Sequence, residues 1–541
     1  MRRCARYTLK NPDPSPAENR HRSAALVMAS TTVSRLLGFV RIAVIGAIFG
    51  ASGEADVLHV VFNIPNNLRK LLAEGALSSA FLPVLARSHH DDPSGTQSRQ
   101  LVRQLFGFQL VLLVPLLIGA TVFAEPIVHR ILAFPEPERQ ILAVQLFRWL
   151  IHYVLLISLA AVLVGTLNSH HRFFVPAVAP LLFSVSVIGS VVLLHRELGV
   201  FSMVVGVLAG GAAQLVIQIP PVLRRGYSLI PVFRFHDPVF RTVLGQWFPV
   251  LATASIFAID QQIALFFASG LSDGSGSALA NALVFWQLPF GIFSASITTV
   301  LFPLMSQQWG QNDLTGLRAS LLGGLRSLAL LLIPSAGALI VLGAPMIAIA
   351  LQRGAFSAEN TALTARVLMG YSVGLFSVGA FTFVQRFFYA LGDYRTPIIA
   401  SAATVVIDVL LSLYLKETVL GVVGLSIANS TAFSVGLIIL LLSARQKLPA
   451  TGPRIVTPAI LRALIATAAA AATVILIRSV FSSPLGNEPW WVEGSTFRAL
   501  GRLLGEGISA LVVLLGVYTV LGISPSALLR RNSEVTKKED K

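Results

Sequence analysis

From residue 25 to residue 523 the chain is dominated by uninterrupted apolar runs, of which VLLISLAAVLVG at 154–165 is typical. A helix needs about 20 residues to cross a hydrocarbon core of about 30 Å, where no water is present to satisfy an open backbone. The runs are long enough for that and lack the alternation of a membrane strand. Only 12% of the 541 residues are charged and 55% are hydrophobic, with a mean hydropathy of +0.75, whereas soluble domains carry about 25% charged residues. The sequence predicts an all-α polytopic membrane protein. Fourteen spans are expected, near 25–50, 57–86, 104–124, 141–167, 173–194, 199–222, 243–270, 277–305, 320–351, 360–391, 396–415, 418–444, 463–477 and 503–523.

The formal net charge of +16 raises the question of a nucleic-acid partner. The Lys and Arg residues are not clustered for one. They follow the alternating connections instead, about three times as many on one side as on the other, so both termini are expected in the cytoplasm. Cys4 is the single cysteine, which excludes an intramolecular disulfide and a Cys-based metal site. The tail before Ala24 is not expected to be a cleavable signal, since the apolar segment after it is long and has no obvious small-residue cleavage site. The connections at 87–103 and 478–502 are too short for a folded unit of about 50 residues. Trp490 and Trp491 read as an interfacial anchor on the outer face.

A weak internal repeat divides the chain. Pro83 and Pro303, each near the end of a span, are 220 residues apart, and Arg172 and Arg395, each shortly before a proline, are 223 apart. Chance likeness of proline-ended apolar helices is one explanation. The simpler one is two six-helix lobes of the same topology plus two C-terminal helices, a plan associated with alternating access. It gives a tail 1–24, a first lobe 25–222, a cytoplasmic linker 223–242, a second lobe 243–444, a helix pair 445–523 and a tail 524–541. Pro65, Pro176, Pro180, Pro289 and Pro334 lie inside spans, where a lost backbone donor permits a bend.

The first two spans carry charge: Arg35, Arg41, Arg69, Lys70 and Glu74. Each such residue costs roughly 2.5–3.5 kcal/mol on insertion scales, so it marks a functional site. At 1.5 Å per residue Arg35 lies about 15 Å and Glu74 about 18 Å from the cytoplasmic end, and Arg41 and Arg69 lie deeper, at about 24 and 26 Å. Arg35 and Glu74 read as a structural ion pair or as part of a ligand site. Arg41 and Arg69 have no acid at their depth in these two spans, and the planar guanidinium suits bidentate binding of phosphate oxygens, a diphosphate above all. Asp56, at the outer mouth of span two, is either a helix N-cap or part of an outer gate.

Asp260 and Asp408 lie in spans seven and eleven with no basic residue within a turn. Either they hold a coupling cation, Na+ or a proton, or they make buried interhelical hydrogen bonds. The doublets His89–His90 and His170–His171 lack partners at metal-ligand spacing. No P-loop and no nucleophile elbow is present, so no catalytic group and no cofactor is assigned.

SRLLGFVR at 34–41 and ADVLHVVFNIPNNLRKLLAEGALSSAFLPVL at 55–85 resemble the opening of the MurJ/MviN family, lipid II flippases of the multidrug/oligosaccharidyl-lipid/polysaccharide exporter superfamily. LNSHHRFFVPAVAP (167–180), LPFGIFSASITTVLFP (288–303) and FYALGDYRTP (388–397) are similar to further family landmarks. The resemblance implies a two-lobed transporter of the bacterial inner membrane. It would move undecaprenyl-diphosphate-linked disaccharide-pentapeptide to the outer leaflet for peptidoglycan synthesis, among membrane lipids and other cell-wall synthesis proteins, with residues 445–523 forming a groove for the lipid tail. It matches Arg35, Arg41 and Arg69 to the cavity arginines, Glu74 to the second-helix carboxylate and Asp56 to the outer acidic position. Asp260 and Asp408 fall near positions the family uses for sodium. Two departures stand out: Leu283 and Val284 occupy the place of an acid–Arg pair in span eight, and Ile42 the place of an Asp after the second arginine. Two rivals remain, an exporter of other polyprenyl-linked glycans or of drugs, and a membrane enzyme acting on polyprenyl diphosphates.

Overall fold

A computed structural model of the chain describes residues 33–34, 36–69, 81, 84–85, 92, 95–170, 172–448, 457–481 and 496–523. Every regular element among them is helical. In chain order they are α1 (Leu36–Phe49), α2 (Glu54–Arg69), α3 (Thr96–Val122), α4 (Ala124–Ile131), α5 (Pro137–Leu150), α6 (Tyr153–Ser169), α7 (Phe174–Leu198), α8 (Phe201–Leu223) and α9 (Pro238–Ser269). Then come α10 (Ser275–Pro289), a π-helical turn (Phe290–Ser294), α11 (Ala295–Gly310), α12 (Leu314–Leu351), α13 (Ala358–Val373), α14 (Leu375–Ala390), α15 (Arg395–Leu415), α16 (Val422–Lys447), α17 (Thr457–Phe481) and α18 (Thr496–Val520).

Among the described residues each expected span overlaps a helix, the first two only in part. Among the same residues ten continuous or nearly continuous stretches are long and apolar enough to cross a membrane, and α13 with α14 makes an eleventh if that bent pair is one span, against the fourteen expected. The fourth expected span is built from α5 and α6, and the eighth from α10, the π-helical turn and α11. That turn begins directly after Pro289, which removes a backbone donor and lets one extra residue into the helical ladder. Pro334 behaves differently from the expectation of a bend, since it lies within the continuous α12.

The 46° break between α13 and α14 has no proline. It falls at Gly374, where a Cβ would lie 2.5 Å from Ser430 Oγ and 2.6 Å from Ser430 Cα, so only glycine admits α16 this close. Ser430 Oγ donates to the Gly370 carbonyl at 2.7 Å, and Trp286 Nε1 of α10 donates to the Tyr371 carbonyl at 3.0 Å. Two side chains from two other helices thus bond carbonyls at the point where the helix breaks.

The chain forms two compact units; the boundaries at 44/45, 118/119 and 250/251 fall inside helices, and the one at 151/152 falls in the turn between α5 and α6. One holds residues up to 44, 72–118 and 152–250. The other holds 45–71, 119–151 and 251–541. In the first, α8 packs tightly on α7 because Gly206 and Gly210 present no side chain; a Cβ on them would lie 2.7 Å from Val187 Cα and 2.9 Å from Phe183 Cα. The connection after α8 lies along α3, with Val232 N–H donating to the Arg103 carbonyl and Gln104 Nε2 to the Arg234 carbonyl. In the second unit α17 and α18 pack on each other and on α12. Arg478 of α17 donates from Nη2 to Glu506 Oε2 of α18 at 2.8 Å and from Nη1 to the Val341 carbonyl of α12 at 3.0 Å, while Tyr518 Oη donates to the Leu330 carbonyl. The expected anchor Trp490–Trp491 lies outside the described residues.

Candidate functional site

Arg41 lies in the middle of α1, half-buried. Its Nη1 donates to Ser184 Oγ of α7 at 3.4 Å, and its guanidinium lies 5.1 Å from the centroid of the Phe183 ring. The hydroxyl and the aromatic face both hold the cation in place. Arg69 is the last residue of α2, and its Nε donates to Asn66 Oδ1 at 3.1 Å. The two arginines belong to different units. Arg35, Lys70 and Glu74 lie outside the described residues, as do His89, His90 and His171.

Asp56 does not cap its own helix. It is 1% exposed, and its Oδ1 accepts from the backbone N–H of Ser277, in the first turn of α10, at 2.6 Å. A second carboxylate makes the reciprocal contact: both oxygens of Asp273, in the turn before α10, accept from the N–H of Gly53 at 2.8 Å, one residue before α2 begins. Each helix is thus capped by an acid from beside the other, which satisfies orphan donors and places negative charge at two positive helix ends. Gly53 and Gly274 enter these turns with φ of 61° and 81°, conformations that side chains disfavour. Gly276 lets α10 lie directly against Val60 of α2. Arg139 of α5 closes the cluster, paired with Asp273 and donating from Nη2 to the Gly53 carbonyl at 3.3 Å.

Asp260 of α9 and Asp408 of α15, 7% and 5% exposed, are brought together by Asn429 of α16. Asn429 Nδ2 donates to Asp408 Oδ2 at 2.9 Å and to Asp260 Oδ2 at 3.4 Å, and Ser412 Oγ donates to Asp408 Oδ1 at 3.2 Å. These partners of the two acids are neutral amide and hydroxyl groups. Oxygen donors of this kind suit a small hard cation or a shared proton.

Sequence reasoning found Asp56, Asp260 and Asp408 but not their partners. Asn429 had a signal, an amide inside the apolar run LSIANSTAFSVG. Asp273 had another, because the repeat offset of 220 carries residue 53 onto it. Arg139 had none, being one of several cations in a connection. Leu283 and Val284, where the family resemblance expects an ionic pair, sit half-buried on α10.

The bundle, with acids and arginines inside its apolar helices, is that of a multi-pass transporter rather than an enzyme. An inward-facing multidrug resistance MATE transporter of the MOP superfamily shares the fold, with a TM-score of 0.66 at 15% identity over 77% of this chain and 98% of that one. A lipid II flippase MurJ in an inward closed conformation aligns with a TM-score of 0.75 at 25% identity, over 92% of this chain and 99% of that one. The sequence profile of the lipid II flippase MurJ matches residues 45–491. Among curated relatives, a probable lipid II flippase MurJ from Borreliella burgdorferi is 34% identical over 93% of this chain and 97% of its own length. The lipid II flippase MurJ of Burkholderia cenocepacia is 29% identical over 79% and 84%. The chain belongs to the lipid II flippase MurJ family.

Proposed function

We propose that this protein moves lipid II, the undecaprenyl-diphosphate-linked peptidoglycan precursor, from the inner to the outer leaflet of a bacterial inner membrane by alternating access. The family match over residues 45–491 carries the reading. Arg41 and Arg69, with Arg35, hold the diphosphate through charge-assisted hydrogen bonds, and Glu74 orients that set. The sugar-peptide head is enclosed between the lobes and the prenyl tail stays in lipid, along the helix pair 445–523. Asp56 belongs to the outer gate, in keeping with its contact to Ser277. Asp260 and Asp408 take the coupling cation, Na+ or H+, with Asn429 and Ser412 positioning their oxygens. Both termini face the cytoplasm, and other cell-wall synthesis proteins are the partners expected beside it.

Complementation tests the reading. In a bacterium depleted of its own lipid II flippase, the wild-type chain restores growth and Arg41→Ala and Arg69→Ala do not, each being present in the membrane at wild-type level. Survival of both alanine variants removes the diphosphate clamp. No rescue by the wild-type chain, with the protein present in the membrane, replaces lipid II by another polyprenyl-linked substrate.

A further inference from the structure

The contact between the N-termini of α2 and α10 contains more charge than two helix caps need. Two carboxylates, Asp56 and Asp273, face two helix ends, each worth about half a positive charge. Helix ends alone leave about one negative charge over for these two acids, and the Arg139 guanidinium, shared with the more exposed Glu136, offsets it. Its position is fixed on several sides. It pairs with Asp273, donates to the Gly53 carbonyl, lies 3.6 Å from Glu136, the residue just before α5, and stacks at 5.7 Å from the Phe134 ring centroid. Its side chain is 13% exposed and that of Asp273 is 47% exposed, so the pair sits at the rim while Asp56 is sealed beneath.

We infer that Arg139 and Asp273 form a second, ionic latch that holds α2 and α10 together and sets how readily this end of the protein opens. By the repeat, α2 belongs to the first lobe and α10 to the second, and the Gly53–Asp273 contact joins positions that the offset of 220 makes equivalent. A contact between equivalent positions lies where two lobes of the same topology face each other. Arg139 comes from a third helix and bonds to groups belonging to both N-termini, so separation of α2 from α10 breaks its bonds to at least one of them. Asp56 seals the gate by a cap. Arg139 supplies positive charge to both acids, pairing with Asp273 and acting across the cluster on Asp56. The inference rests on the gate reading of Asp56 and is independent of which lipid is carried.

The test uses the full chain with Cys4→Ser and one reporter cysteine, either Val60→Cys, buried between α2 and α10, or Ser184→Cys beside Arg41, in membranes treated with a polar maleimide. Because a charge-assisted hydrogen bond is among the stronger ones, Arg139→Gln is expected to speed labelling at position 60 about tenfold and to slow it at position 184. Asp273→Asn gives the same pattern, Arg139→Lys a partial one, and the double variant adds little to either single, because both remove one interaction. The inference is overturned if labelling at position 60 stays at the wild-type rate in both single variants. It is equally overturned if both reporters become more reactive together, which marks general loosening and not a shift between two states, or if the two substitutions act additively. Because labelling reads conformation without substrate, these outcomes stand apart from the complementation result.

Discussion

The protein brings two aspartates together in two places and surrounds them differently. Between the N-termini of α2 and α10, Asp56 and Asp273 meet backbone N–H groups, two helix ends and a guanidinium, all fixed to the protein. Between α9, α15 and α16, Asp260 and Asp408 are joined by the neutral groups of Asn429 and Ser412. A carboxylate pair balanced by built-in positive charge is complete and can only be broken or remade. A pair held by amide and hydroxyl groups still needs positive charge, which a cation or proton from solution can bring and remove. The first arrangement suits a latch, the second a coupling site.

The largest expected effect is at the second pair. Asp408→Asn removes one of the two charges, and growth rescue in the flippase-depleted host is expected to be lost outright. Asn429→Lys converts the pair into one with a fixed cation; it too is expected to lose rescue while retaining wild-type thermal stability, and rescue by that variant would erase the distinction drawn here. Next is Glu506, 1% exposed and held by Arg478. It resembles the gate acids in having a built-in cation, so Glu506→Gln is expected to cost about 3 kcal/mol, read as a lower melting temperature in detergent, because it leaves a guanidinium without its counter-charge. Gly276→Ala forces a methyl group against Val60 and Asp56. Overpacking of this kind costs about 1–3 kcal/mol and is expected to favour labelling of a cysteine at position 60 without altering any charge.

The smallest effect is at Asp393, in the turn between α14 and α15. Burial opposes its ionisation, but hydrogen bonds from the Thr396 N–H and hydroxyl and from Lys447 outweigh that and hold the carboxyl below the usual range. A lowered folded-state value contributes stability that is present above the unfolded value and lost as pH falls through the folded one. Melting temperature is therefore expected to fall slightly as the pH drops below about 4, and Asp393→Asn is expected to remove that part of the acid dependence.

The helices were legible because a bilayer demands long apolar runs, and among the described residues each expected span overlaps one. Interruptions were less so. Pro289 marked the π-helical turn, but Pro334 is absorbed into α12 and the break at Gly374 depends on Ser430 and Trp286, residues 56 and 88 positions away. The same limit applies at the sites. A buried acid is visible in a sequence as charge inside an apolar run, which is how Asp260 and Asp408 were found. Its partner is visible only when it too is out of place, as Asn429 is. Arg139, in a polar connection where an arginine is ordinary, becomes meaningful only through the helix ends it touches.

The 46° angle at Gly374 also bears on how the second unit works as a machine. A glycine at a break invites description as a hinge, but this one is bolted on two sides. Straightening it means surrendering the Ser430 and Trp286 hydrogen bonds, and leaving the buried Trp286 N–H without an acceptor costs about 1–3 kcal/mol. The joint is an elbow set at a fixed angle, and α10, α13 and α16, riveted through it, turn together as one stiff lever.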